Sequence, residues 1–299
     1  MDKINANVFL KVAETGSFRR AADELGYTQA GISYIIAAME KETGLNLFVR
    51  EHNGVRISEE GKELLPQMKQ LEIWERQFQQ TVAELNGLKR GRIRVQIFDS
   101  ISVHWIPDIV SLFQRDYPGI KIELITEEDS ARAEEMVRSG EVDCGFFLTD
   151  VSSDIEHFPL LEEKLLVIVP KNHQMAGYEK FSIKELGKHP FIGMKYDAHT
   201  GIEAIFRKNK VTPQLAFTMD NDYAAMAMVR KGLGFAIFPE LLLSPSVMEG
   251  LKSLEFDKPQ KRVISIGTAS MEGCSKATRK FIEYSRRWVA ERSEERKQV

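Results

Sequence analysis

Three consecutive segments decide the fold of this chain: GSFRRAADELG at residues 16–26, TQAGISYIIAAMEKETG at 28–44 and LFVREHNGVRISEEG at 47–61. In the first, Ser17 is a favourable N-cap, and apolar residues recur at helical spacing until Gly26, a residue typical of helix ends. Thr28 caps a second amphipathic helix in the same way. Two short helices followed by a hairpin-like segment predict a winged helix-turn-helix.

The second of these helices has an apolar face and a small, polar face. At helical spacing its apolar residues, Ile32, Ile35, Ile36 and Met39, point inward, and Gln29, Ala30, Ser33 and Tyr34 share the opposite side. A glutamine can bond an adenine edge at two atoms, and small residues let a helix approach the bases closely. The polar face therefore fits the major groove of DNA, although any amphipathic helical hairpin shows the same periodicity.

Residues 9–65 resemble, without gaps, the N-terminal domain of the LysR-type transcriptional regulators. The resemblance is carried by Phe9, Val12, Ala21, Ala22, Leu25, Gln29, Ser33, Gly44, Leu47, Phe48, Arg50, Ser58 and Gly61, among others. It implies a DNA-binding domain whose contacts come from the helix face and from the arginines of the wing. We predict these DNA-binding residues: Ser17, Arg19, Gln29, Ala30, Ser33, Tyr34, Arg50 and Arg56.

The match to the family pattern has three departures. The family usually has a proline where this chain has Ala30, an alanine where it has Gly31, and often a basic or polar side chain where it has Tyr34. The resemblance therefore predicts DNA binding but not the operator sequence.

The first sixty residues carry no excess of positive charge. They contain three Lys and four Arg against two Asp and seven Glu, a balance of 7 − 9 = −2. Because non-specific affinity comes from neutralising phosphates, this domain depends on a few placed arginines and on pairing two copies. We expect a modest salt dependence of DNA binding.

A long helix is predicted after the wing, from a cap at Ser58 to about residue 88. Leu64, Leu71, Phe78 and Leu85 recur at every seventh position between polar flanks, which is the pattern of a helix that pairs with another helix. The stripe could instead pack on its own domain. The family resemblance assigns the segment to the dimerisation helix, so we predict that these four leucine and phenylalanine residues mediate dimerisation, and Pro66 does not oppose this because relatives often have a proline there.

The remaining two hundred residues alternate apolar strands with helices. RIRVQIF, GIKIELIT and VDCGFFL are strands separated by helical segments, a βαβαβ order that predicts a parallel sheet covered by helices. A second run of similar elements ends at GFAIFP, and RVISIGTA with the last helix returns to the first half. This resembles the LysR effector-binding domain, built like a type 2 periplasmic binding protein, with a cleft between two lobes.

The overall prediction is an α/β protein with three parts. A mainly α winged helix-turn-helix occupies residues 1–58, a linker helix 59–89, and a two-lobed α/β effector-binding domain 90–297. The boundaries of the lobes are predicted as about 91–161 with 267–295 for the first lobe and about 162–266 for the second.

Ligands of such sheets lie beyond the carboxyl ends of strands, near helix N-termini. Polar residues at these points, taken with the family's effector-contacting positions, predict this effector-binding set: Ser100, Ser102, Thr126, Thr149, Tyr196 and Thr200. Each Ser or Thr could equally be a helix cap. Glu127, Glu128 and Asp129 oppose a simple anion site unless they face solvent, so the charge of the effector stays open.

Several classes of protein are disfavoured by the sequence. The six histidines and the two cysteines, Cys144 and Cys274, have no metal-ligand spacing, and no phosphate loop is present, so we predict neither catalytic residues nor a metal or cofactor. An N-terminal signal segment and an apolar run of membrane-spanning length are both lacking, which favours a cytoplasmic protein over an exported solute-binding protein. An enzyme on this scaffold would turn over a ligand without DNA.

The predicted function is a ligand-responsive, sequence-specific transcriptional regulator. Its predicted partners are an inverted-repeat DNA operator, a small-molecule effector, further copies of itself in a homodimer or homotetramer, and RNA polymerase if it activates transcription. No membrane partner is predicted.

Overall fold

The computed structural model describes residues 4–51, 54–85, 91–148, 150–195 and 201–298. The chain divides into two compact units, residues 1–82 and 83–299. The boundary between the units falls inside the segment predicted as the linker helix.

The first unit is a helical domain with a two-stranded wing. Its elements are α1 (Ala6–Thr15), α2 (Phe18–Leu25), α3 (Gln29–Thr43), β1 (Phe48–Glu51), β2 (Gly54–Ile57) and the start of α4 (Glu59–Leu85). The strands β1 and β2 pair antiparallel. The predicted winged helix-turn-helix is therefore confirmed, and α1 is an additional helix that the sequence analysis did not assign.

Local capping explains where the short helices begin and end. The Ser17 and Thr28 side chains each accept a hydrogen bond from a backbone amide of the first turn, as predicted. Gly26 and Gly44 follow α2 and α3 with φ of 72° at each residue, a left-handed conformation that costs glycine little. The turn between the helices is thus fixed by residues adjacent in sequence.

The core of this unit is formed by all three short helices and the base of α4. Phe9, Ile32 and Met39 are fully buried, and the Phe9 and Phe48 rings lie 5.2 Å apart, which joins α1 to the wing. Ile32, Ile36 and Met39 point inward as the periodicity predicted, and Ile35 is partly buried against the same core. The opposite face of α3 is left to solvent.

The long helix α4 has two different stretches. Ser58 caps it by accepting a hydrogen bond of 2.8 Å from the amide of Gly61. Leu64 and Met68 pack against the core of the winged unit. Leu71 and Phe78 are exposed, so the part of the predicted seam that remains open to a partner begins at Leu71.

Within the described residues, the second unit contains an eight-stranded sheet and a separate two-stranded sheet. Its strands are β3 (Gly91–Ile97), β4 (Ile120–Thr126), β5 (Cys144–Leu148), β6 (Glu156–Pro170), β7 (Lys180–Phe181), β8 (Pro190–Met194), β9 (Gln214–Met219), β10 (Ala236–Pro239), β11 (Leu251–Phe256) and β12 (Gln260–Thr268). Its helices are α5 (Asp99–His104), α6 (Ile106–Asp116), α7 (Ser130–Arg138), α8 (Ile202–Asn209), α9 (Asp222–Arg230) and α10 (Lys276–Gln298). The strands β8 and β9 form the two-stranded sheet.

The predicted parallel arrangement of the first lobe is confirmed. The strand order of the large sheet is β4-β3-β5-β12-β6-β11-β7, with β10 also paired to β6, and β3 runs parallel to both β4 and β5. The core of this lobe includes Ile93, Phe113, Phe146 and Phe281, which brings the final helix α10 back onto it, as predicted. Cys144 is completely buried in the same core.

The strands β6 and β12 pass from one lobe to the other as a continuous antiparallel pair. Their register runs from Gln260 opposite Leu165 to Thr268 opposite Glu156, with a shift between Ile264 and Ser265. Successive residues of β6 enter opposite cores of the second lobe, since Val167 packs on one side of the sheet and Ile168 on the other. These two strands form the frame that carries the cleft.

Candidate functional site

The surface predicted to contact DNA lies on the outer face of α3. Gln29 and Ala30 are exposed in the first turn, and Ser33 is half-buried one turn later. Tyr34 is 74% exposed, so its ring extends from the helix instead of packing on the domain. The helix therefore presents a surface of small and polar groups with one projecting aromatic ring.

The residues at the start of α2 have two different environments. The Ser17 Oγ accepts from the Arg20 amide at 3.3 Å, which makes Ser17 a helix cap as well as a predicted DNA contact. The guanidinium of Arg20 donates to the carbonyl of Thr15 and is thereby tied to its own domain. Arg19 is exposed and belongs to the predicted DNA-contacting set.

The two arginines of the wing lie on opposite faces of the β1–β2 ribbon. Arg50 is opposite Val55 in the register, whereas Arg56 is opposite Val49. Directly paired residues share a face and neighbours alternate, so Arg50 and Arg56 project to different sides. Arg56 also forms an ion pair of 2.9 Å with Glu51.

A cleft cavity of about 50 Å³ lies in the second unit, at the carboxyl end of β3. It is formed by segments far apart in sequence, because α5, β10, β12 and the start of α9 all contribute. Its lining residues are Phe98, Asp99, Ser100, Glu128, Met194, Ile202, Asp220, Asp222, Ile237, Phe238, Pro239, Leu242 and Arg262. The cavity thus combines apolar walls with a group of charged side chains.

Arg262 on β12 forms a buried ion pair beside this cavity. Its Nε donates to Glu163 Oε1 at 2.6 Å, and the two side chains are only 4% and 3% exposed. Arg262 Nη2 donates to Ser100 Oγ at 3.0 Å, and Glu163 Oε2 accepts from the Leu241 amide at 3.1 Å. The pair therefore links α5 of the first lobe to a turn of the second lobe.

Two half-buried carboxyl groups face each other across the cleft. Glu128 Oε1 accepts a hydrogen bond of 2.7 Å from the backbone amide of Asp99. Burial, followed by the negative charges of Asp99 and Asp222, raises the pKa of Glu128 to about 7 despite this hydrogen bond. Burial and the charge of Asp99 raise the pKa of Asp222 to about 6, and Arg262 opposes that shift. The cleft is therefore a region where negative charge is unfavourable.

Comparisons with known proteins agree with both halves of the chain. Residues 5–62 match the model of the bacterial regulatory helix-turn-helix proteins of the lysR family, and residues 86–290 match the LysR substrate binding domain. The chain belongs to the LysR family of transcriptional regulators. As a LysR-type regulator it is a DNA-binding and effector-binding protein and not an enzyme.

Relatives and solved structures match over most of their length. The uncharacterized HTH-type transcriptional regulator YvbU of Bacillus subtilis is 29% identical over 282 residues, which cover 93% of this chain and 96% of that protein. Full-length CbnR complexed with its target DNA has a TM-score of 0.67 and 19% identity, and the match covers 94% of this chain and 98% of CbnR. The regulatory domain of Synechocystis CcmR in complex with 2-PG has a TM-score of 0.61 and 21% identity, over 67% of this chain and 98% of that domain.

Of the three predicted effector-binding residues that the structure of this LysR-type regulator describes, one lines the cleft cavity. Ser100 lines the cleft cavity, where its hydroxyl accepts from Arg262. The Ser102 hydroxyl donates to the Asp99 carbonyl at 2.7 Å, as a helical residue does, and Thr126 is exposed at the end of β4. The other three predicted residues, Thr149, Tyr196 and Thr200, lie outside the described residues.

The charged groups of the cleft were missed as a set by the sequence analysis. Asp99 begins α5 just after β3, and Asp222 begins α9, so the rule that selected Ser100 could have selected both. Arg262 and Glu163 lie within strands and carry no such signal, because only the pairing of β12 with β6 brings them together.

Within the described ranges, no three His, Cys, Asp or Glu side chains are arranged to hold a metal ion. No helix among those residues is long and apolar enough to cross a membrane.

Proposed function

We propose that this LysR-type regulator binds an interrupted inverted repeat in DNA as a homo-oligomer. A small metabolite in the cleft then changes the arrangement of its DNA-binding domains. The observation that carries the proposal is an exposed apolar stripe on α4, the helix that continues directly from the wing. Two-fold pairing of such helices presents two winged domains, and the spacing of the DNA half-sites then follows the symmetry of the protein.

The stripe consists of Leu71, Trp74 and Phe78. The side chains of Trp74 and Phe78 are each 64% exposed, and that of Leu71 is 44% exposed. Three large apolar side chains at coiled-coil spacing on one helix face favour burial against a second helix, because each removes apolar area from water. The same helix of a second copy offers a matching stripe.

Two exposed strands of the second unit support further association. Leu124 lies on β4, an edge strand of the large sheet, and is 41% exposed. Leu215 and Phe217 on β9 are 58% and 41% exposed. Exposed apolar side chains on strand edges are typical of surfaces that pair with another chain, and they favour a tetramer built from two kinds of contact.

The cleft lies where a ligand can influence both lobes. Its walls come from α5 on one side and from α9 and β10 on the other. A ligand that fits one arrangement of the lobes better than another shifts the population by its differential affinity. In the proposed regulator this shift changes DNA bending or the access of RNA polymerase at a promoter in the cytoplasm.

Operator discrimination tests the DNA-binding surface. Gln29→Ala and Ser33→Ala are each expected to reduce the ratio of affinities for an upstream promoter fragment and a random duplex by roughly 10- to 100-fold. This reduction corresponds to the loss of about 1–3 kcal/mol for one base contact. Fluorescence anisotropy with both duplexes measures the ratio. Gln70→Ala, which removes the same side chain from α4, is the control and should leave the ratio unchanged. Equal binding of both duplexes by the unmodified protein would refute the proposal.

Oligomeric mass tests the helix stripe. The double variant Leu71→Lys and Phe78→Lys is expected to give monomers in light scattering, because two charges then occupy the apolar stripe. The matched control, Gln70→Lys with Gln77→Lys, adds the same charge at the same spacing on exposed positions beside the stripe. An unchanged mass for the first variant would show that pairing does not use this helix.

A further inference from the structure

We propose that the effector of this regulator presents an organic cation, an ammonium or guanidinium group, to the carboxylates of the cleft. The inference rests on the proposed function, because it takes the cleft as the effector site. It adds the charge class of the ligand, which the sequence left open.

The chain's own carboxylate, that of Glu128, occupies the backbone amide at which an oxyanion would bind. The start of α5 follows β3, and the Asp99 amide there donates to Glu128 Oε1 at 2.7 Å. An anionic ligand would have to displace Glu128 and then lie among Asp99, Asp220 and Asp222, which line the same cavity. The carboxylate of such a ligand and the carboxylates of a partly buried site repel each other strongly.

Among the described residues that line the cavity, Arg262 is the single arginine, and its guanidinium already has hydrogen-bond partners. Arg262 gives Nε to Glu163 at 2.6 Å and Nη2 to Ser100 at 3.0 Å. The charge of Arg262 is matched by that of Glu163, and both side chains are buried. The carboxylates of the cleft therefore outnumber the positive charge that could balance them in the described part of the cavity.

Independently of these charges, a buried hydrogen-bond acceptor near Glu128 lacks a donor among the described residues. Gln96 on β3 is 1% exposed, and its Nε2 donates to the carbonyls of Ile97 and Glu127. Its Oε1 has no hydrogen-bond partner among the described residues. Gln96 lines a small cavity of about 10 Å³ that shares Phe98 and Glu128 with the main cavity. A buried acceptor requires a donor, and ammonium and guanidinium groups bring only donors whereas a carboxylate brings only acceptors.

The surroundings favour an organic cation over a metal ion. Within the described ranges, no group of three potential ligands has the arrangement that a metal needs. The cavity is walled by Phe98, Ile237, Phe238 and Leu242, which suit the carbon skeleton of an organic molecule.

Paired probes of opposite charge test the inference on the full-length protein. Methylammonium, putrescine and agmatine are compared with acetate and succinate, and with Mg²⁺, at constant ionic strength and pH 7.5. At least one of the three cations is expected to raise the thermal midpoint and to bind in calorimetry, whereas acetate, succinate and Mg²⁺ do neither. Glu128→Gln and Asp222→Asn are each expected to weaken binding of that cation about tenfold or more. Each variant is compared with its own ligand-free midpoint, since its stability also changes.

A matched control separates the cleft from the general charge of the domain. Glu203→Gln removes one negative charge from the exposed side of α8, outside the cavity lining, and should leave cation binding unchanged. Tighter binding of a carboxylate than of every cation, cation binding that survives both cleft substitutions, or no binding of any cation would overturn the inference. Anisotropy with the promoter fragment on the same samples shows whether the regulator itself still functions, so a wrong charge class is distinguished from a wrong function.

Discussion

The predicted DNA-contacting surface of α3 and the candidate effector cleft differ in how they are assembled. The first is carried by one helix, and its start and orientation depend on Thr28 and on neighbouring turns. The second brings together Asp99, Glu128, Asp222 and Arg262, which are separated by up to 163 residues in the numbering of the chain. A site on one helix can be read from periodicity, but a site between strands depends on long-range pairing.

The largest expected effect is at the buried ion pair that long-range pairing creates. Arg262→Met leaves Glu163 buried without its partner, and breaking one side of such a pair costs about 3–5 kcal/mol. Lys261→Ala breaks the neighbouring, exposed ion pair of 2.6 Å with Glu162 on the same two strands and should cost less than about 1 kcal/mol. Urea unfolding of both variants measures the difference. Similar losses for the two variants would show that burial does not set the cost here.

A smaller effect is expected at the carboxyl groups of the cleft. The pKa of Glu128 is raised from 4.5 to about 7 by burial, so the folded state keeps a proton that the unfolded state releases between these values. Stability from this group is therefore lost as the pH rises from about 4.5 through 7. Glu128→Gln keeps an acceptor for the Asp99 amide without the charge, and should stabilise the protein by roughly 1–3 kcal/mol at pH 8.

The effect of Glu128→Gln should be much smaller at pH 5, where the glutamic acid is already protonated. Thermal midpoints at the two pH values, with Glu203→Gln as the exposed control, measure it. A stabilisation that is equal at both pH values would contradict the raised pKa.

The smallest effect is expected at the wing, which is formed by residues close to one another in sequence. Arg50 and Arg56 project from opposite faces of the ribbon, so we expect one of them to contribute most of the phosphate contact beside the wing. Replacing both by alanine should lower the slope of log K against log salt by about 0.9, the value for one phosphate, and not by about 1.8. Anisotropy across a salt series gives the slope, and the two single variants show which arginine contributes. A loss near the larger value would mean that the ribbon twists enough for both to bind.

Much of the fold was predictable because its signals are local. The caps Ser17, Thr28 and Ser58 and the periodicity of α3 gave the winged unit, and the order of apolar strands gave the parallel sheet of the first lobe. Helix α1 was not assigned, although Asn5 caps it in the same way. The half-burial of Leu64 was not predicted either, because a heptad pattern does not show where a helix leaves its own domain.

The candidate sites were predictable to different degrees. The exposed face of α3 follows directly from the spacing of Ile32, Ile36 and Met39 on its other side. In the cleft, Ser100 was selected by its place after β3, but its partner is an arginine 162 residues away. No pattern of neighbouring residues encodes that contact, since it depends on the register of β12 against β6.

The continuous pairing of β6 with β12 limits how far the effector domain can open. Both strands run through the boundary between the lobes, and their hydrogen bonds extend from Gln260 to Thr268 along β12. Because the two strands cross together, a change in the angle between the lobes must bend this pair, and a large bend would weaken several ladder hydrogen bonds, each of which stabilises the sheet by about 0.5–1.5 kcal/mol. The register shift between Ile264 and Ser265 is the point where the two strands can bend with the least loss. We therefore expect a ligand in the cleft to change the angle between the lobes by a small bend or twist at this point of the strand pair.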